Sequence, residues 1–178
     1  MLTFRRLEPE DFALMHRWLN EPGVVEWWEG DDVSPKAVRS HYFTNVEDGV
    51  EHWLALDDDV PFGWIQCYPV TSDLDECASW LALGVPDTAA GIDYLIGEAG
   101  QRGSGRGAAM IAGFVEDVVF AEHPGWTHVG AGPFSANVRS WGALAKAGFE
   151  HVGTIPDPAG SLHLMVRSRS GEAMPPFM

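Results

Sequence analysis

Cysteine is scarce in this sequence of 178 residues, and its two copies are far from any metal-binding pattern. Cys67 and Cys77 form no Cys-x-x-Cys pair, and no cluster of histidines accompanies them. This spacing argues against a disulfide framework and against a zinc site. We therefore expect two buried free thiols and no metal.

Basic side chains are also few, since 11 Lys and Arg stand against 26 Asp and Glu and give a formal charge of -15. A field of this sign repels nucleic acid and anionic membranes and attracts small cations. We expect neither nucleic acid nor membrane as a partner, and a cationic small molecule as the ligand. Solubility alone would explain the charge equally well.

Long apolar runs are missing as well. No stretch of about 18 apolar residues occurs, and the first residues lead into strand-like alternation rather than a signal-peptide core. We expect a cytoplasmic protein, either a monomer or a weak homodimer. The length and the 46% of apolar residues suit one domain over residues 1–170, with a flexible tail over 171–178.

The element order predicted from periodicity begins β-α-α-β-β. Leu2–Leu7 alternates like a strand, and Pro9 opens a helix with Phe12, Met15 and Leu19 on one face. Ser34 is expected to cap a second helix that carries Val38, Tyr42 and Val46. Two strands, 51–56 and 62–70, then flank the turn Asp57-Asp58-Asp59 and predict an antiparallel hairpin.

The second half predicts strand, glycine-rich turn and helix, followed by three further strands and one helix. The expected elements are a strand over 91–97, a helix over 108–120, a short strand over 127–131, a helix from an N-cap at Ser135 to Ala147, and strands over 149–155 and 161–167. Gly148 is expected to end the last helix in a left-handed conformation.

The glycine-rich turn Arg102-Gly103-Ser104-Gly105-Arg106-Gly107 carries the chemical signal. Glycines between a strand and a helix let backbone N–H groups approach a ligand, and the helix start favours negative charge there. Such a turn suits a pyrophosphate. It has neither Walker A spacing nor dinucleotide-fingerprint spacing, and a plain flexible turn stays possible on these six residues alone.

The turn resembles the acetyl-CoA signature (Arg/Gln)-x-x-Gly-x-(Gly/Ala) of the GCN5-related N-acetyltransferase (GNAT) superfamily, with Arg102, Gly105 and Gly107 in the matching positions. The resemblance covers nearly the whole chain and is closest to aminoglycoside 6'-N-acetyltransferases. Its other matches are Trp18-Leu19-Asn20, Val25-Glu26-Trp27-Trp28, Gly91-Ile92-Asp93, Ser135-Ala136-Asn137 with Arg139, Lys146-Ala147-Gly148-Phe149 and Met165-Val166.

This resemblance implies a mixed α/β fold with a central, mostly antiparallel, splayed sheet flanked by helices. It implies acetyl-CoA as co-substrate, with Leu95 and Ile96 offering backbone groups and residues 102–107 (Arg102, Gly103, Ser104, Gly105, Arg106, Gly107) holding the pyrophosphate. Asn137 resembles the family asparagine that contacts the cofactor, although an asparagine at a helix start also caps backbone.

On the acceptor side, Asp93 occupies the place of an acidic residue in the aminoglycoside branch. An amine must be neutral to attack a thioester, so Asp93 is the candidate base, and positioning of the substrate is the alternative. Trp27 and Trp28, with Glu29, Asp31 and Asp32 nearby, are candidates to bind a cationic sugar. Gln66 and Tyr68 match substrate residues on the corresponding strand, although their face of the strand would equally suit the core.

Two positions depart from that pattern. Leu144 stands where many relatives have a tyrosine that acts as general acid, and Gly132 stands where the nearest relatives have an aspartate. Acetylation of an aminoglycoside 6'-amine, and with it antibiotic resistance, is the leading hypothesis. The alternatives are an N-acyltransferase for siderophore hydroxylysine or hydroxyornithine, in which histidine is expected in place of Asp93, and a CoA-binding regulator without turnover.

Overall fold

The computed structural model describes residues 1–28 and 32–174. The strands are β1 (Leu2–Arg6), β2 (Glu51–Asp57), β3 (Val60–Pro69), β4 (Ala89–Ile96), β5 (His128–Ala131), β6 (Glu150–Asp157) and β7 (Gly160–Ser168). The α-helices are α1 (Phe12–Leu19), α2 (Pro22–Val25), α3 (Pro35–Arg39), α4 (Leu74–Ala82), α5 (Arg106–Phe114) and α6 (Val138–Lys146). Within the described ranges, no helix combines the length and the apolar character that crossing a bilayer requires.

The seven strands form one sheet in the order β1-β2-β3-β4-β5-β7-β6. β4 and β5 are parallel, whereas the pairs β1–β2, β5–β7 and β6–β7 are antiparallel. The register between β4 and β5 covers only Ala89–Gly91 against His128–Gly130, while β4 continues to Ile96. The predicted fold class, a mixed and mostly antiparallel sheet with helices, is confirmed.

The chain divides into two compact units, and β3 and β4 each pass from one to the other. The first unit comprises Met1–Gln66 and Tyr94–Gly107. Its core contains Met15 and Leu19 from α1, as the helical spacing predicted, and also Trp18. Phe12, the third residue of the predicted face, is partly buried and packs against this core. Met15, Trp18 and Leu19 are almost fully buried because the apolar face of α1 repeats every three to four residues.

Two local predictions hold in the first unit. Ser34 caps α3, since its hydroxyl oxygen accepts a hydrogen bond from the backbone N–H of Ala37 (3.3 Å). Between β2 and β3, Asp58 and Asp59 adopt left-handed backbone angles, with φ of 47° and 64°. Two consecutive residues with positive φ form the turn that best matches strand twist in a hairpin. Val46, expected on the second helix, lies beyond its last turn and is exposed.

The second unit comprises Cys67–Asp93 and residues from Ala108 onward. Its core packs Trp80 and Cys77 of α4 with apolar residues of β6 and β7. Cys67 and Cys77 are both buried, as expected. Helix α4 was not predicted, yet Asp73-Leu74-Asp75-Glu76 has the spacing of an N-cap followed by Glu at the third helical position. The carboxylate of Asp73 accepts from the N–H groups of both Asp75 and Glu76 (2.9 Å each).

The N-cap predicted for the last helix was wrong. α6 begins at Val138, and Asn137 caps it by accepting from the N–H of Ser140 (3.1 Å). Ser135 instead places its hydroxyl 2.7 Å from that of Ser161. Gly148 follows the helix with φ of 89°, as predicted. Of the tail expected to be flexible, residues 175–178, with Pro175-Pro176, lie outside the described residues.

Candidate functional site

The glycine-rich turn lies between β4 and α5 in the first unit and is shaped by two left-handed glycines. Gly103 and Gly105 have φ of 81° and 85°, and a Cβ added at either would meet nothing within 4 Å. Alternating left-handed residues turn successive N–H groups toward one side and form an anion-binding concavity. The positive end of α5 follows directly. The turn therefore has open space beside both of its left-handed glycines.

Both arginines of the turn are engaged inside the first unit. Arg102 donates from Nε to the carbonyl of Ile96 (3.0 Å) and from Nη2 to the carbonyl of Gly97 (3.3 Å), and Nη2 also lies 3.4 Å from Glu21 Oε2. Arg106 places Nη2 2.9 Å from Asp57 Oδ2. Ser104 donates its hydroxyl to the carbonyl of Gln101 (2.8 Å). These contacts engage the side chains of Arg102, Ser104 and Arg106 with neighbouring parts of the first unit.

Helix α1 fixes the segment that leads into the turn. A Cβ at Gly97 would overlap the indole of Trp18, so only glycine permits this approach. Trp18 Nε1 donates to Glu98 Oε1 (2.9 Å), and Arg17 Nη2 lies 2.5 Å from the same oxygen. Leu95 is buried in the first unit's core, and Ile96 is half-buried next to it in the sequence. The end of β4 is thus fixed by the burial of Leu95 and by the contacts that Trp18 makes with Gly97 and Glu98.

The two tryptophans singled out from the sequence follow α2 and are both half-buried. Trp28 packs edge-on against Trp64 of β3, with ring centroids 6.2 Å apart. Trp64 also contacts the rings of Tyr42 (5.4 Å) and His52 (5.6 Å). Burial, together with nearby His41, lowers the pKa of His52 to about 4, so this imidazole is neutral at pH 7.

Of the three acidic residues predicted to lie near these tryptophans, one is among the described residues. Glu29 and Asp31 lie outside the described residues, and Asp32 is exposed, where its carboxylate accepts from the N–H of Ser34 (2.9 Å). Gln66, the last residue of β3 that belongs to the first unit, is half-buried. Trp28 is thus partly covered by the aromatic rings around Trp64, and the rest of its side chain is exposed.

In the second unit, Tyr68 brings together two carboxylates from different elements. Its hydroxyl lies 3.3 Å from Glu76 Oε1 on α4 and is also hydrogen-bonded to Asp93 on β4. Gly91 makes this arrangement possible, because a Cβ there would lie 2.6 Å from the Tyr68 hydroxyl oxygen and closer still to ring carbons. Of the predicted substrate residues, Tyr68 and Asp93 therefore lie together.

The electrostatics of this cluster differ from those of exposed acids. Burial first, and then the negative charges of Asp93 and Asp73, together raise the pKa of Glu76 to about 7. Burial and the two carboxylates also raise the pKa of Tyr68 well above its usual value. Tyr68 is therefore a protonated donor at neutral pH, and Glu76 changes charge near pH 7.

Sequence reasoning missed Glu76 because the segment between β3 and β4 received no element. The Asp73 cap was the signal available, since it fixes the start of α4 and places Glu76 in the first turn of the helix. No local sequence pattern indicates that Glu76 is hydrogen-bonded to Tyr68, eight residues earlier, or that it interacts with Asp93, 17 residues later in the chain. Those contacts depend on how α4 packs.

Three other positions were singled out from the sequence. Asn137 uses its side-chain oxygen to cap α6. Leu144 is completely buried on α6, which fits an apolar core residue. At Gly132 an added Cβ would lie 3.7 Å from Leu162 Cδ1, which is an ordinary contact.

Comparison with known proteins agrees with this geometry. The family model described as "Acetyltransferase (GNAT) domain" matches residues 8–156. Aminoglycoside N(6')-acetyltransferase type 1 of Klebsiella pneumoniae is 30% identical over 172 residues, which cover 94% of this chain and 83% of that protein. Two solved structures of aminoglycoside acetyltransferase AAC(6')-Ib align with TM-scores of 0.82 at 29% identity. The complex with coenzyme A and kanamycin aligns over 95% of both chains, and the complex with paromomycin and acetyl-CoA over 94% of this chain and 93% of that one. A match of this extent shows that the chain belongs to the GNAT acetyltransferase family.

Proposed function

We propose that this protein transfers the acetyl group of acetyl-CoA to a primary amine of an aminoglycoside, at the 6'-amine, within a single catalytic domain over residues 1–170. The observation that carries the proposal is the acidic cluster at Tyr68, which matches the chemistry of an ammonium-bearing sugar. The similarity to aminoglycoside acetyltransferases over most of both chains supports the same activity. Such an enzyme would act in the cytoplasm and confer resistance.

The turn over 102–107 fits the pyrophosphate of acetyl-CoA. Gly103 and Gly105 keep the concavity free of side chains, and the start of α5 favours negative charge at that position. Leu95 and Ile96, on the β4 segment beyond the register with β5, would hold the pantetheine arm through backbone groups. Asn137 would contribute its amide nitrogen, since its oxygen already caps α6.

Asp93 would bind the acceptor amine and remove a proton from it. Acetyl-CoA supplies an activated acetyl group, whose carbonyl carbon forms the new C–N bond as the C–S bond breaks. An ammonium has no lone pair, so a nearby carboxylate that takes one proton makes the nitrogen nucleophilic. Asp93 precedes Leu95 by two residues on the same strand, a rise of about 7 Å, which suits a base close to the thioester.

Trp27 and Trp28 would contact the sugar rings, because indole faces attract cationic and C–H-rich surfaces. Gln66 and Tyr68 would add hydrogen bonds to hydroxyl or amino groups. Because Leu144 provides no acid, we assign no side chain to protonate the departing CoA sulfur. The second proton on the nitrogen, or water, protonates the sulfur instead.

The test is a thiol-release assay with purified protein, acetyl-CoA and a panel of amines. Kanamycin and tobramycin are expected to release CoA, and mass spectrometry with NMR is expected to place the acetyl group on the 6'-nitrogen. Hydroxylysine and hydroxyornithine serve as the competing acceptor class. Release with those amines alone would overturn the aminoglycoside assignment, and no release above background with any amine would overturn the enzymatic one.

A further inference from the structure

The Tyr68 hydroxyl cannot satisfy both carboxylates that contact it. A phenol carries one proton and donates one hydrogen bond, whereas an ionised carboxylate only accepts. When Tyr68 donates to Asp93, Glu76 faces an oxygen lone pair, and the reverse holds when it donates to Glu76. When both acids are ionised, the single phenol proton serves one carboxylate at a time, and the two like charges repel each other.

The protein supplies no cation to Glu76. Throughout residues 1–28 and 32–174, no lysine, arginine or histidine lies within salt-bridge distance of its carboxylate. The charged groups that face it are Asp93 on β4 and Asp73 at the start of α4, and both are negative. Tyr68 on β3 donates the hydrogen bond. A half-buried carboxylate in these surroundings is stabilised by an added positive charge.

We propose that Glu76 is a second acceptor-binding carboxylate, which holds the substrate's ammonium group jointly with Asp93 across the Tyr68 hydroxyl. This inference rests on the proposed function and extends it to a residue on α4. A primary ammonium has three N–H donors, so it can serve two carboxylates at once. The pair of acids would then discriminate in favour of amines and against neutral hydroxyl acceptors.

The same pair can hold the proton that the reaction releases. One proton passes from the ammonium to the carboxylate pair and then to solvent. The nitrogen lone pair forms the C–N bond as the C–S bond breaks, and the second nitrogen proton leaves with the sulfur, giving amide and CoA thiol. Because the pKa of Glu76 lies near 7, the pair accepts a proton more readily at neutral pH than an ordinary carboxylate does.

Glu76→Gln tests the inference, because the amide keeps the shape and can still accept from Tyr68 but carries no charge. The KM for kanamycin is expected to rise about tenfold, corresponding to about 1.4 kcal/mol of lost binding, while the KM for acetyl-CoA stays within twofold. The rise of kcat/KM with pH around 7 is expected to disappear. Asp75→Asn is the matched control, since its side chain is exposed on the same helix turn, and it should keep the wild-type KM and pH profile.

An unchanged kanamycin KM and pH profile in Glu76→Gln would overturn the inference. Should that variant fail to fold by circular dichroism, Glu76→Asp replaces it, since it keeps the charge on a shorter arm. It is expected to raise the KM less than threefold and to keep the pH dependence, and loss of that dependence would contradict the proposal.

Calorimetric titration of kanamycin separates this inference from the proposed function. If the wild-type protein turns over no amine, the enzymatic proposal fails, yet binding of kanamycin can still be compared between wild type and Glu76→Gln. About tenfold weaker binding in the variant would support the role of Glu76. Equal binding would refute it independently of turnover.

Discussion

Replacing Gly91 by alanine should dislodge Tyr68 and with it the acidic cluster. The added Cβ would lie 2.3 Å from Tyr68 Cζ, against the 3.4 Å at which ordinary contact begins, so the ring must move by about 1.1 Å (3.4 − 2.3). Overpacking of this kind costs about 2 kcal/mol, and for a chain of this size it should lower Tm by about 4–8 °C. A shift of this size at a substrate-positioning residue should also raise the kanamycin KM.

The assay combines thermal melts with steady-state kinetics, and Gly142→Ala is the control. Gly142 lies inside α6, and a Cβ there meets nothing within 4 Å, so alanine should leave activity unchanged and stabilise the helix by up to about 1 kcal/mol. In a Tyr68→Ala background the Gly91→Ala cost should vanish, because the ring that it strikes is gone. Additive effects in that double-mutant cycle would refute the steric explanation.

Three further predictions concern the glycine-rich turn, Asp93 and Glu76. Gly103→Ala should raise the KM for acetyl-CoA and leave the KM for kanamycin unchanged. The left-handed backbone angle costs a non-glycine residue about 1 kcal/mol, and the new methyl enters the concavity. Equal changes in both KM values would contradict this prediction. Asp93→Asn should lower kcat at least about 100-fold, as expected for loss of a general base, and full activity would remove Asp93 from that role. The folded-state pKa of Glu76 is raised from 4.5 to about 7, so its ionisation destabilises the fold increasingly between those pH values. Glu76→Gln should therefore be more stable than wild type at pH 8 by about 1–3 kcal/mol but not at pH 4.5, and a pH-independent difference in Tm would count against the raised pKa.

Local patterns predicted those parts of the fold that local physics determines. The Ser34 cap, the left-handed Gly148 and the apolar face of α1 all followed from short-range spacing, because caps and amphipathic faces are set within one or two turns. Ser135 failed as an N-cap because Asn137, two residues later, competes for the same role. Both residue types favour that position, and the sequence does not rank them.

The candidate site was only partly predictable for a different reason. Asp93 and Tyr68 could be singled out through the family resemblance, and they do lie together. Glu76 could not, because its significance comes from burial and from two negative neighbours that are distant in sequence. The glycine-rich signature likewise does not indicate that Arg102 pairs with Glu21 and Arg106 with Asp57.

These internally paired arginines determine how the two substrates should respond to ionic strength. With both guanidinium groups paired to carboxylates, the turn presents short-range backbone dipoles to the pyrophosphate and little long-range attraction. The net charge of -15 then opposes the approach of the polyanionic CoA and steers the polycationic drug inward. Added salt should therefore speed association of acetyl-CoA and slow that of the aminoglycoside, so one protein would show opposite salt dependences for its two substrates.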